Sequence, residues 1–174
     1  MSGHSRWAQI KHKKAAIDAK KGQVFSKISR LIRVAVKEGG ENPEKNLKLR
    51  SALAKAREVN MSLDNVERAL RKSSEDKLED VLYEAYGPGG SAFLIEGITD
   101  SKNRTSSEIK HILSEHGGKL AEPGSVLWMF EKKEAAYSPK FTLSLLGEDE
   151  RKYESLLEVL SENDDVQEVY TNTD

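Results

Sequence analysis

Cysteine is absent from the chain, which excludes a disulfide framework, thiolate metal ligands and thiol redox chemistry. No stretch approaches eighteen uninterrupted apolar residues, so no helix reads as a membrane span. The opening residues lack the apolar core and small-residue cleavage site of a secretory signal, and the sequence therefore predicts a soluble, cytoplasmic protein. Phosphate-loop and dinucleotide glycine patterns are missing; residues 87–90, Gly-Pro-Gly-Gly, read as a tight turn entering a strand. The four histidines, His4, His12, His111 and His116, have no metal-ligand spacing, and neither a bound metal nor a cofactor is expected. Ser125 and Ser144 lack a nucleophile elbow, and His111 has no evident carboxylate partner. The acidic residues Glu148, Asp149 and Glu150 fit the first turn of a helix, and Asp164 and Asp165 a solvated turn. No catalytic constellation emerges, and the sequence predicts a protein that is not an enzyme.

Charge is abundant but segregated. The net charge of −1 conceals a chain whose residues 1–72 hold 18 Lys/Arg against 7 Asp/Glu, while residues 73–174 hold 10 against 22. The excess is sharpest in residues 1–37, where ten cations face only Asp18. Such asymmetry predicts a basic module that contacts polyanions and an acidic one that repels them. The boundary falls in the polar stretch Ser73-Ser74-Glu75-Asp76, giving a basic helical nucleic-acid-binding domain over 1–76 and an acidic α/β domain over 77–174.

Residues 1–23 carry no sustained apolar stripe and read as an extended or loosely helical arm. A helix is predicted over 24–37 from Val24, Phe25, Ile28, Leu31, Ile32 and Ala35, ended by Gly39-Gly40. Asn42-Pro43 reads as the cap and first turn of a second helix with Leu49, Ala52, Leu53 and Ala56 inward. Ser62 caps a third, in which Leu63, Val66 and Leu70 share a face. Three short amphipathic helices pack as a bundle. Beyond them the period changes: residues 91–98 read as a buried strand, Thr105 and Glu108 as the capping box of a helix holding Ile109, Ile112 and Leu113, and residues 126–130 and 141–145 as two strands joined through a Ser138-Pro139 turn. Tyr153, Leu156, Leu157 and Leu160 define a last helix and residues 166–170 a closing strand. The expected fold class is α+β, a three-helix bundle followed by a ferredoxin-like βαββαβ domain.

The candidate site is the basic stretch. Arg6, Lys11, Lys13, Lys14, Lys20 and Lys21 neutralise phosphates, with His4, Trp7 and His12 among them; Trp7 offers a ring for base stacking. Lys27, Arg30, Arg33 and Lys37 continue the charge along the first helix. Five phosphate contacts on single-stranded RNA would give log affinity a slope against log salt of roughly −3.5. A membrane-surface helix fits less well, because the apolar stripe is needed for the bundle. Charge alone leaves RNA and DNA open. Sequence-specific DNA reading ordinarily uses a recognition helix, and the third helix offers only Asn65 and Arg68.

The wording GHSRWAQIKHKKAAIDAKKG at residues 3–22 resembles the N-terminal signature of the YebC family. YEAYGPGG at 83–90, DSKNRT at 100–105, HGGKLAEPGSV at 116–126 and DDVQEVYTN at 164–172 resemble further family segments in the same order. The resemblance implies a helical domain followed by two α/β domains, the third inserted within the second; here the chain passes quickly from Phe130 to Phe141, so the inserted domain is expected to be missing. It also implies one of two roles. Family members are described as DNA-binding transcriptional regulators and as ribosome-associated translation factors, including a mitochondrial translational activator of cytochrome c oxidase. The expected partner is therefore the ribosome, with residues 3–14 against ribosomal or transfer RNA to help elongation through difficult sequences, and the alternative is duplex DNA. A monomer is favoured.

Overall fold

The computed structural model describes residues 18–73 and 77–174. These form two compact units, one from residues 18–80 with 98–101 and the other from residues 81–97 with 102–174.

The first unit is built on three helices, α1 (Asp18–Gly39), α2 (Leu47–Glu58) and α3 (Leu63–Lys72). Helix α1 begins at Asp18 rather than at the expected Val24, because Lys20, Lys21 and Gln23 are good helix formers and Gly22 alone opposes them. Ile28, Ile32, Ala35 and Val36 of α1 pack on Leu49, Ala52 and Ala56 of α2 and Ala69 of α3. The alanines on the facing helices leave room for the branched side chains of α1. The cap of α2 is Asn46, not Asn42. Asn42 instead closes its own turn by accepting from the Glu44 N–H at 2.9 Å, a local bond characteristic of Asn before Pro. Asn46 accepts from the Leu49 N–H at 3.0 Å and donates to the carbonyls of Ala35 and Gly40 at 2.7 and 2.8 Å, so it also anchors the end of α1. On α3 the inward residue is Ala69, flanked by Val66 and Leu70; Leu63, expected on that face, is 79% exposed in the first turn. Ser62 caps α3 as its sequence predicts, accepting from the Asn65 N–H.

The remaining elements run β1 (Glu79–Tyr86), β2 (Ala92–Thr99), α4 (Lys102–Glu115), β3 (Lys119–Leu120), β4 (Phe130–Lys133), β5 (Ala136–Pro139), α5 (Glu148–Glu162) and β6 (Val166–Thr171). The class is α+β as expected, a helical region followed by a sheet domain, but the strand assignments differ. Four strands form one sheet in the order β3-β1-β2-β6, and β4 and β5 form a separate hairpin. The crossover β2–α4–β3 leaves one strand between its ends, as a split βαβ requires. That strand is β1, which precedes the crossover and which the hydropathy pattern missed, since Glu79, Asp80 and Glu84 interrupt its apolar residues.

Alternation along β2 explains how both sheet faces are filled. Phe93 and Ile95 point to a core shared with Ile109 and Leu113 of α4 and Tyr153, Leu156, Leu157 and Leu160 of α5. Ala92 and Leu94 point to the opposite face, where Val126, Phe130 and Tyr170 cover them. Phe93 and Tyr153 meet ring to ring at 5.6 Å, and the Tyr153 hydroxyl bonds that of Thr171 at 2.7 Å.

Residues 127–129 form a 3-10 turn, and the strand starts only at Phe130. Ser138 and Pro139 lie in β5, while the chain reverses at Glu134, which adopts φ +56°. Residues 141–145 are not a strand: only Leu143 makes an isolated parallel bridge, to Thr173. Their apolar–polar alternation reflects a segment lying along the end of β6 without a ladder of its own. Thr105 sits inside α4 rather than capping it, with its hydroxyl donated to Asp165.

Candidate nucleic-acid interface

His4, Arg6, Trp7, Lys11, His12, Lys13 and Lys14 lie outside the described residues. The remaining predicted cations all sit on α1. Lys20, Lys27, Arg30, Arg33 and Lys37 are separated by three, four or seven residues, so they share the side of the helix turned away from the Ile28–Ile32 core stripe. Lys21 is exposed on another side, and Lys20, Lys27, Arg30 and Arg33 are half-buried.

The basic side is not uniform. Val34 lies within it and is buried against Leu78 and Ile98, a second apolar contact that the main stripe does not announce. Around Val34 two cations bind the unit's own backbone: Arg30 donates to the Ile98 carbonyl at 3.1 Å and Lys37 to the Leu78 carbonyl at 3.3 Å. The C-terminal half of the basic side thus holds residues 78 and 98 in place. Lys20, Lys21 and Lys27, at the N-terminal half, adjoin the basic arm in sequence.

Further cations lie on the next two helices. Arg50 and Arg57 on α2 and Arg68, Arg71 and Lys72 on α3 are all exposed. Lys48 instead bridges Glu38 and Asp80. Helices α2 and α3 are joined by residues 59–62 alone, with Asn60 at φ +56° and the Met61 N–H closing on the Ala56 carbonyl at 2.9 Å. Two helices linked by a turn this short are the covalent frame of a helix-turn-helix, which the apolar pattern alone had not revealed.

In the α/β unit the recurring motifs serve the fold. Glu84, 8% exposed, accepts from the N–H groups of Gly124, Val126 and Leu127 at 2.6, 2.8 and 2.8 Å. Burial raises its pKa, yet these three bonds outweigh burial and hold the carboxyl below its ordinary value. Asp165, expected in a solvated turn, is 3% exposed; its Oδ2 accepts from Arg104 and Thr105, both at 2.7 Å, tying the DSKNRT and DDVQ segments together. The Asn172 side chain accepts from the Ala92 N–H at 2.8 Å. The glycine motifs meet at an open cleft of about 460 Å³ lined by Tyr86, Gly87, Gly90, Gly117, Gly118 and Lys119. A Cβ at Gly87 would lie 2.3 Å from the Phe93 ring and one at Gly118 2.6 Å from the Tyr86 carbonyl, so close packing alone accounts for these two. Among the described residues no group of three or more His, Asp or Glu is arranged to hold a metal, and no helix is long and apolar enough to cross a membrane.

A helical unit rich in cations and a split-βαβ unit rich in acids define a two-module protein. Comparison with known proteins names its kin. Residues 5–76 match the TACO1/YebC N-terminal domain, and residues 78–135 and 131–173 match the TACO1/YebC second and third domain. The chain belongs to the TACO1/YebC family. It is 40% identical over 237 aligned positions to a protein of Fervidobacterium nodosum, covering 100% of this chain and 94% of that one. A Kosmotoga olearia protein is 39% identical, covering 99% and 94%; both relatives are named probable transcriptional regulatory proteins. A conserved hypothetical protein, Aq1575 from Aquifex aeolicus, superimposes with a TM-score of 0.88 at 32% identity over 97% of this chain and 96% of that one.

An alignment of 237 positions against a chain of 174 residues leaves about 60 positions of the relative without a counterpart. The two matches to the second-and-third-domain profile meet at residues 131–135, on β4 and the turn that leads into β5. The domain missing here therefore belongs at the tip of the β4–β5 hairpin, which in this chain is sealed by the turn at Glu134.

Proposed function

We propose that this chain is a non-enzymatic, nucleic-acid-binding regulator of gene expression. The observation that carries the reading is the separation of charge: an excess of eleven cations in residues 1–72 against an excess of twelve acids in the rest. A helical end of that sign attracts phosphate, and the acidic excess of the other module makes the helical end the main electrostatic contact with a polyanion. Lys20, Lys21 and Lys27 carry the basic stretch of the sequence into the first half of α1.

Of two routes to regulation, transcription through duplex DNA has the support of the relatives' names. The short α2–α3 connection supports it as well, since α3 then exposes Arg68, Arg71 and Lys72, with Asn65 half-exposed, as a helix suited to the major groove. The other route is translation: the basic residues at the start of the chain suit phosphates lining a ribosomal cavity, where the factor would assist elongation through difficult sequences. It is the role that the family resemblance adds.

One comparison separates them. Lysate is sedimented through a gradient with the intact protein and with Lys11, Lys13 and Lys14 changed to Glu, while duplex DNA binding is measured on Arg68→Ala and Arg71→Ala. Free migration with sequence-selective duplex binding that the α3 variants lose supports the DNA route. Ribosomal co-migration lost in the Lys→Glu variant supports the ribosomal one. Affinity for every nucleic acid that is independent of salt would refute both.

A further inference from the structure

The α/β unit is acidic overall but not everywhere. Residues 127–141 hold Lys132, Lys133 and Lys140 against Glu131 and Glu134, whereas the rest of residues 77–174 hold seven cations against eighteen acids. The same short segment carries an exposed aromatic pair, Trp128 at 57% and Phe141 at 47% exposure. The β4–β5 register pairs Phe130 with Pro139, and the Lys140 N–H bonded to the Met129 carbonyl at 2.9 Å continues it past the strand ends. That continuation brings Trp128 opposite Phe141, with ring centroids 6.0 Å apart and planes tilted by 44°.

The indole is oriented before any partner arrives. Its Nε1–H donates to the Ser125 carbonyl at 2.8 Å, which satisfies the donor and fixes the ring while leaving the side chain more than half exposed. A partner therefore meets a π-face rather than an N–H. Exposed rings with a lysine adjoining them are the two components of a stacking platform: every base has a π-face, and each phosphate a charge for an ammonium group. Aliphatic side chains, which would favour an apolar protein surface, are few here, with Leu127 at only 36% exposure.

From this the geometry points to a stacking site for unpaired bases of a single-stranded nucleic acid, with Trp128 and Phe141 as the rings and the exposed Lys140, next to Phe141 in the chain, as the phosphate-binding group; Lys133 is paired with Glu131 at 3.3 Å and Lys132 lies over the Tyr137 ring. The site rests on the reading of the chain as a nucleic-acid binder and adds a second foothold, on the module of opposite charge. Bases paired in a duplex are stacked on one another and offer no free face, so the site selects single strands.

The chain has two tryptophans, and Trp7→Phe makes Trp128 the only tryptophan fluorophore in the full-length protein. Short single strands of uridylate, single strands of deoxythymidylate and a mixed-sequence duplex are titrated into it at low salt. Both single strands are expected to quench Trp128 emission saturably, and the duplex to bind without quenching; a difference between uridylate and deoxythymidylate identifies RNA or DNA as the source. Phe141→Ala and, by intrinsic binding assay, Trp128→Leu should weaken single-strand affinity about 5- to 100-fold, the range of a lost base stack, with duplex affinity unchanged. Phe141→Leu keeps an apolar side chain and should weaken it similarly, while an unchanged circular dichroism spectrum and urea midpoint exclude unfolding. Lys140→Glu should weaken single-strand binding and lower its salt slope. Single strands that bind with Trp128 emission unmoved, or variants with unaltered affinity, would overturn the site while leaving the helical module's reading intact. Variants that alter only self-association would assign the patch to a protein interface and overturn it too. Failure of every nucleic acid to bind would remove both readings.

Discussion

Replacing Glu84 by Gln tests whether one buried carboxylate organises the loop between β3 and β4. Its Oε2 accepts from the Val126 and Leu127 N–H groups and its Oε1 from that of Gly124. A glutamine oxygen can keep the first pair, but the amide nitrogen then faces the Gly124 N–H, donor against donor. Losing one charge-assisted bond, weakening two and leaving a donor unsatisfied costs about 2–3 kcal/mol. Because Trp128 follows the anchored residues directly, urea unfolding read by its fluorescence in a Trp7→Phe background reports on this unit. With a urea slope of about 2 kcal/mol/M the midpoint should fall by about 1–1.5 M at pH 7. The effect must also depend on acid in a definite direction. The folded-state pKa of Glu84 lies below its ordinary value of 4.5, so its ionised contribution is complete above that value and is lost as pH falls through the depressed folded one. The gap between the two proteins should therefore narrow below about pH 4.5. Equal midpoints at pH 7, or a gap that does not narrow in acid, would refute the anchoring role.

Other substitutions probe the remaining joints. Asn46→Ala removes the α2 cap and leaves the Ala35 and Gly40 carbonyls without their side-chain donor; a loss of about 2–3 kcal/mol in the helical unit, followed by circular dichroism, is expected. Asn42→Ala, although it precedes a proline, should cost under about 1 kcal/mol because its bond closes only an exposed turn. Asp165→Asn should destabilise the α/β unit by about 1–2 kcal/mol in thermal or urea unfolding, since the charge-assisted bonds from Arg104 and Thr105 are weakened while Arg104, half exposed, keeps Glu108 at 3.6 Å as a second ionic partner. Lys20→Glu, Lys21→Glu and Lys27→Glu together should lower nucleic-acid affinity at every sequence and reduce the salt slope, by roughly 0.7 to 0.9 for each phosphate that is no longer neutralised.

How much of this was legible depended on the range of the interaction behind each feature. The stripes of α1 and α5 and the continuous apolar run of β2 follow from burial with one period, and the sequence displays them directly. Strand β1 is hidden because the residue that matters most, Glu84, is an acid pointing into the protein, and its three partners lie some forty residues downstream. Residues 141–145 show the opposite failure: Phe141, Leu143 and Leu145 alternate like a strand, but Phe141 faces outward and only Leu143 finds a bridging partner. At the candidate interface, clustering of positive charge identified α1, whereas the engagement of Arg30 with Ile98 spans sixty-eight residues and leaves no local mark. The short turn before α3 was visible as Ser62, yet its significance emerges only once α2 is seen to end at Glu58.

The Glu134 turn has a consequence for how such chains gain and lose domains. Lys133 and Ala136 face each other across the hairpin, and Cα atoms so paired stand about 5 Å apart. A domain entering and leaving the chain there must have its own two ends that close together, and when it does, the host cannot sense whether the gap is bridged by two residues or by about sixty. In this chain the ladder from Phe130 to Pro139 closes over two residues, so the hairpin acts as a socket: a chain without the third domain has an empty socket with its strands still joined, rather than a wound.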